Sequence, residues 1–342
     1  MPALKKIAKS PVVHILLWLA PLVAVIWWGS KQQAPQWPDT GSQWAWLGAA
    51  LAAYALATVM RGERWHSILG AAQVDVGRGD AYGLTVVGYA GNNALPARGG
   101  ELLRIFLLSS RTGAKRRTVI GSILAERILD ALALGTILLV VAFDLVKKLS
   151  TSPVLVFAGL GVGVAIALGL AYVWWRHRHH AVRLIDALRP MVTPLRPLLG
   201  IKGLMLLVLS FAIWGVESAV YGMVAESVGI HLGVTGSMSV VAFANLAALI
   251  PAAPGSIGTW DAAVAVATRA VTKTKVNPLS FIVLLRFVVY VPITVVGMAL
   301  LFLRYGGLAR IKAARAAARS DSDAEIDASA KGDPLEPVEA TA

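Results

Sequence analysis

Three charged groups, Glu126-Arg127-x-x-Asp130, stand inside the apolar run from Thr118 to Phe143. Each ionisable side chain at such depth costs about 2.5–3.5 kcal/mol to insert into a bilayer, so it needs a partner or a ligand. On a helix Glu126 and Asp130 share one face, with Arg127 about 100° round. Arg98, Glu101 and Arg104 follow the run Ala90-Gly-Asn92-Asn93-Ala-Leu-Pro96-Ala, while Glu217 and Arg286 lie in the later apolar runs 204–228 and 279–303. Arginines near helix ends hold a phosphate through paired hydrogen bonds. Glycines opening a broken helix, here Gly99 and Gly100, add backbone N–H groups for the same anion. The chemistry expected is recognition of an anionic headgroup by Arg98, Arg104 and Arg286. Glu101, Glu126 and Asp130 would balance the charge or read a cationic substituent. The competing role for Glu126 and Asp130 is a structural ion pair that fixes helix register, and for Arg98 it is anchoring at a basic membrane face.

Placing these side chains requires a helix that stops inside the membrane. Tyr82 to Leu95 is too short to span, is followed by Pro96, Gly99 and Gly100, and has arginines on both sides (Arg61, Arg64, Arg78; Arg98, Arg104, Arg111). That pattern predicts a re-entrant hairpin, whose non-helical backbone must be satisfied by protein or by a water-filled cavity. A second short run, Gly236 to Ile250, ends in Pro251, Pro254, Gly255, Gly258 and Asp261. With a one-residue gap, Val86 to Pro96 matches Val240 to Pro251 in order: paired valines, an aromatic residue, alanine, asparagine, then proline. Loop charges bring the two segments in from opposite sides, the signature of an inverted-topology repeat whose broken helices build a substrate site. Asn92, Asn93 and Asn245 either cap those helices or touch the substrate.

Composition sets the solvent. Of 342 residues 57% are apolar and 15% charged, with mean hydropathy +0.67, outside the soluble range. No cysteine is present, so no disulfide framework exists. From Ser320 onward seven acidic residues meet one lysine; removing them from totals of 32 basic and 19 acidic leaves 31 and 12. That excess sits in loops beside apolar runs, which argues for cytoplasmic retention and lipid headgroups rather than nucleic acid. Spans are expected at 11–28, 44–60, 118–143, 153–175, 204–228 and 279–303, with 61–75 lying along the surface as an amphipathic element and a short external turn over 144–152. The fold expected is an all-α polytopic membrane protein of six full spans plus two re-entrant hairpins, or eight spans if the hairpins cross. Residues 1–305 form the membrane domain, with repeat halves at about 44–145 and 204–303, and 306–342 form a disordered, basic-then-acidic tail. Both termini would be cytoplasmic. No metal is expected: His177, His179 and His180 lack accompanying acidic or thiolate ligands.

At Asn92-Asn-Ala-Leu-Pro96-Ala-Arg98-Gly-Gly-Glu101-Leu-Leu-Arg104, at Glu126-Arg127-x-x-Asp130, at Pro251-x-x-Pro254-Gly255-x-x-Gly258 and at Arg286, the sequence resembles the transmembrane-domain family of lysylphosphatidylglycerol synthases and flippases. The resemblance covers about residues 10–305 and implies a bacterial inner-membrane protein. Relatives move aminoacylated phosphatidylglycerol between leaflets or serve polyprenyl-linked sugar or hopanoid pathways. Full synthases carry a separate soluble transferase domain, for which the stretch after Leu303 is too short. No enzyme activity and no cofactor are therefore expected; a flippase or transporter of an anionic or aminoacylated phospholipid or a polyprenyl- or hopanoid-type lipid is. The alternative is a non-transporting accessory protein that recruits a lipid- or glycan-modifying enzyme. Asp261 stands where the family pattern has Glu.

Overall fold

The structure is a computed structural model that describes residues 35–95, 99–148, 195, 200–248, 254–272 and 277–307. The expected spans 11–28 and 153–175, Pro96, Arg98, Pro251, the three histidines and the tail from 308 lie outside the described residues. Every regular element within them is helical: α1 (Gly41–Ala71), α2 (Arg78–Ala94), α3 (Gly99–Thr112), α4 (Arg116–Lys148), α5 (Ile201–Glu226), α6 (Gly233–Ala247), a 3-10 turn (Pro254–Ser256), α7 (Thr259–Thr272) and α8 (Leu279–Leu303). The order is long, short, short, long, then the same again. Three of them, α1, α5 and α8, are long and apolar enough to cross a membrane. The 33-residue α4 is longer but carries charge along its length.

Two expectations about boundaries are corrected. The helix α1 does not end at Met60 and give way to a surface element: it starts at a capping box, Thr40 with Gln43, and runs unbroken for 31 residues. Leu47, Ala50, Tyr54, Ala57, Arg61, Arg64 and Ile68 are all buried along it, one stripe at three- and four-residue spacing. Packing against α5 thus carries the helix through residues that their charge had assigned to the surface. Likewise no turn opens at Asp144, because α4 continues to Lys148.

The arms α2 and α3 form an antiparallel hairpin. Its tip is fixed where the Gly100 N–H donates to Asn92 Oδ1 at 3.0 Å, and its mouth where Arg111 donates to Asp80 at 2.9 Å. Glycines set the spacing: a Cβ on Gly100 would sit 1.8 Å from the Gly88 carbonyl oxygen, and one on Gly88 would sit 2.5 Å from Cδ of Arg104. The second pair, α6 and α7, packs likewise, with Gly236 against Val271 at its mouth. At about 1.5 Å per residue, arms of 14 to 17 residues fall short of the about 30 Å hydrocarbon layer. A continuous apolar core joins α1, α4, α5, α6, α7 and α8, and a second one ties the first hairpin to α1, α4 and the end of α8.

The long helix α8 relates the two hairpins. It begins one short connection after α7, with Ser280 Oγ accepting from the Gln36 N–H just ahead of α1. It ends beside the mouth of the first hairpin, where Arg304 donates to Asp80 at 3.0 Å. Between those ends, near Pro292, both hairpin tips arrive. Asn93 donates to Thr294 at 2.9 Å, and Gly255 lies against Tyr290 and the Asn93 carbonyl oxygen.

Candidate functional site

Five arginines and five carboxylates gather along these helices, and all ten are paired. In the first half Arg64, 1% exposed, donates through Nη1 to Asp130 Oδ1 and to Ser210 Oγ, both at 2.7 Å. Its Nη2 lies 3.9 Å from Glu126. Arg104 reaches the same Glu126 from α3 at 2.6 Å, with its guanidinium 3.8 Å over the Trp65 ring. The indole N–H of Trp65 in turn donates to Ser122 at 3.0 Å. Burial of this depth is tolerated because each ion has an opposite charge and further hydrogen bonds. Arg127 contacts Glu101 at 3.2 Å and Asp130 at 3.5 Å, and Trp214 donates to Asp130 at 3.2 Å. Arg61 donates to Glu217 and lies 5.7 Å from the rings of Tyr89 and Trp214.

In the second half one pair stands apart. Arg286 grips Asp261 with Nε at 2.5 Å and Nη2 at 2.8 Å, the parallel two-point geometry favoured by guanidinium and carboxylate. It also donates to the Gly255 carbonyl at 3.2 Å and lies 4.9 and 4.7 Å from the rings of Trp260 and Tyr290. Asp261, third residue of α7, reaches back to accept from the Gly258 N–H at 2.8 Å. It therefore caps the helix and holds the arginine together. The turn ahead of it needs left-handed backbone at Gly255 (φ 64°), Ser256 (φ 51°) and Gly258 (φ 91°), which explains the glycines at 255 and 258.

The sequence-predicted residues thus fall into separate places. Glu101, Arg104, Glu126, Arg127 and Asp130 come together as one network across α3 and α4, joined by Arg64. Arg286 is not part of it. Nor do Glu217 and Arg286 pair with each other: Glu217 takes Arg61 and Arg286 takes Asp261. Asn92 caps the tip of the first hairpin, Asn93 bonds α8, and Asn245 donates back to the Val241 carbonyl within its own helix at 2.9 Å. Gly99 and Gly100 open α3, while Pro254 begins the 3-10 turn that Gly255 continues. Arg61, Arg64, Trp65, Trp214, Trp260 and Tyr290 are participants that reading by charge alone passed over. The signal for the first three was the continuing three- and four-residue stripe of α1.

At the mouth of the first hairpin Asp80 accepts from Arg111, Arg304 and, at 3.3 Å, the Tyr305 hydroxyl. Burial and the neighbouring Asp80 charge push the Tyr305 phenol up to about 12, so it stays a donor. No group of three or more metal-ligating side chains occurs among the described residues. What the site does in this structure is hold charged groups of both signs, paired, among packed apolar helices.

A family model described as lysylphosphatidylglycerol synthase TM region matches residues 12–297. A UPF0104 membrane protein from Methanothermobacter thermautotrophicus is 26% identical over 227 residues, 58% of this chain and 67% of its own. No solved structure matches.

Proposed function

Because the chain belongs to the lysylphosphatidylglycerol synthase transmembrane-region family and is a multi-pass helical membrane protein, we propose that it is a lipid translocator of the plasma (inner) membrane. Its cargo is a phosphate-bearing lipid, of the anionic, aminoacylated or polyprenyl-linked kinds. The observation that carries this reading is the meeting of both hairpin tips at the middle of α8, through Asn93 with Thr294 and Gly255 with Tyr290. The two hairpins then enter from opposite faces as an inverted repeat, the arrangement in which one half rocks against the other around a fixed midplane site. Arg78, Arg111 and Arg304 surround the first mouth, and a basic rim of this kind supports a cytoplasmic mouth, with both chain ends on the same side.

The natural absence of cysteine gives a clean test. Asn93→Cys with Thr294→Cys, bridged by a short bifunctional thiol reagent in reconstituted vesicles, should lock the first tip to α8 and stop movement of acyl-labelled lipid. Either substitution alone should move lipid equally fast with and without the reagent. Movement that persists in the bridged protein, or vesicles that never move lipid, would remove the rocking translocator.

A further inference from the structure

We propose that α8 is hinged at Pro292, and that this hinge is the pivot on which the two hairpins change their angle to one another. This deepens the translocator reading and rests on it.

A proline inside a helix has no N–H for the carbonyl four residues earlier, and its ring crowds that carbonyl, so the helix bends there. Among the described helices only α8 carries one in its interior, and Pro292 leaves the Val288 carbonyl without its helical donor. Val291, Val295 and Val296 beside it are exposed. One side of the bend is therefore free of packed neighbours among the described residues.

The contacts of α8 divide at the same place. Ahead of Pro292, Arg286 grips Asp261 and the Gly255 carbonyl, and Tyr290 meets Trp260 edge-on at 5.8 Å; all three partners belong to the second hairpin. Beyond it, a Cβ on Gly297 would sit 2.5 Å from that of Ala90 and 2.7 Å from the Val86 carbonyl oxygen, and Arg304 and Tyr305 donate to Asp80; these partners belong to the first. The apolar cores divide likewise. Phe281, Leu285, Val288 and Ile293 join the core shared with α5, α6 and α7, whereas Leu301 and Tyr305 join the core of the first hairpin. A hinge needs a rigid body on either side of a few soft torsions, and each part of α8 is fastened to its own hairpin. Asn93 of the first tip donates to Thr294, two residues past the proline, and Gly255 of the second lies against Tyr290. Both tips thus bear on the pivot, and a bridge from Asn93 to Thr294 clamps it.

The cysteine-free chain lets the hinge be splinted. Phe287→Cys with Val291→Cys puts two exposed thiols one helical turn apart beside the missing hydrogen bond. Ala299→Cys with Leu303→Cys puts an equivalent exposed pair well beyond it. The full chain carrying either pair is bridged with the same short bifunctional thiol reagent in vesicles containing acyl-labelled phosphatidylglycerol. Bridging should slow lipid movement about tenfold at the first pair and leave it unchanged at the second. Pro292→Ala restores the N–H, so it should slow movement to a similar extent while melting at or above the native temperature. Pro292→Gly keeps the helix weak at that point and should move lipid at close to the native rate. Equal rates with and without the bridge at Phe287 and Val291, or a Pro292→Ala protein as fast as native, would overturn the hinge while translocation stands. Equal slowing at both pairs would also overturn it, because stiffening any stretch of α8 would then suffice. A Pro292→Ala protein that has lost its native melting transition leaves the decision to the two bridged pairs. Native protein that moves no lipid would remove the translocator and the hinge together.

Discussion

The two hairpins share a plan and differ in how tightly they execute it. In each the second arm opens two residues before a carboxylate, Glu101 in α3 and Asp261 in α7, and each carboxylate meets an arginine of the following long helix. Asp261 is fully engaged: two guanidinium bonds, one backbone N–H, and aromatic rings around its arginine. Glu101 has one contact without hydrogen-bond alignment, and the backbone of its hairpin tip is capped instead by Asn92. Shared position with unequal engagement separates an anchor from a looser, more exposed pair. The second hairpin fixes the turn against α8; the first keeps a pair of charges in reserve.

The sharpest way to break that contrast is to remove both carboxylates in turn. Asp261→Ala removes a buried carboxylate, leaves the half-buried Arg286 without its counter-ion and α7 without its cap. Breaking a buried pair costs about 3–5 kcal/mol, so the purified protein should melt far below the native one. If Asp261→Ala melts as native, the second hairpin is no anchor. Next in size is Gly100→Ala. The new Cβ would meet the Gly88 carbonyl oxygen and the Asn92 backbone nitrogen, and overpacking of this kind costs about 1–3 kcal/mol. Gly135→Ala, where a Cβ meets nothing within 4 Å, is the control and should match or exceed native stability. Equal melting of the two variants would mean that the arms are not held at glycine distance.

Much of this plan was legible in residues that interrupt. Asn92, Gly99, Gly100, Gly255 and Gly258 marked both tips because a helix cannot pass through such runs, and Glu126-Arg127-x-x-Asp130 marked the network because charge is costly in an apolar run. Positive charge misled at α1. Arg61 and Arg64 read as a cytoplasmic flank, yet their partners Glu217, Asp130 and Ser210 lie 66 to 156 positions away in the chain, beyond what local pattern reports. Partner choice was unreadable for the same reason: Arg286 had Glu217 or the Glu126 and Asp130 cluster open to it by sequence, and the packed helices give it Asp261 instead. Aromatic neighbours such as Trp214 beside Arg61 leave no spacing signal, since they come from another helix altogether.

Glu101→Gln sharpens the comparison from the other side. An ion pair this exposed contributes about 0–1 kcal/mol, so its melting should stay near native. A loss of stability as large as that of Asp261→Ala would make the two carboxylates equivalent and erase the distinction between anchor and loose pair.

The smallest effect belongs to the mouth of the first hairpin, where Tyr305 donates to Asp80 at 3.3 Å. One hydrogen bond of this kind contributes about 0.5–1.5 kcal/mol. The folded protein holds the phenol up to about 12, against about 10 in an unfolded chain. A raised folded value gives stability that is fully present below pH 10 and lost as pH rises toward 12. Native protein should therefore lose melting temperature more steeply across that interval than Tyr305→Phe, which has no phenol to ionise and starts slightly lower at neutral pH. Gly83 faces the same hydroxyl, with space for a Cβ only 2.4 Å from it, so Gly83→Ala should displace Tyr305 and reproduce the flatter alkaline profile. Parallel profiles for native protein and Tyr305→Phe would show that Arg111 and Arg304 alone close the mouth, leaving the first hairpin held at its base by charge, as it is met at its tip.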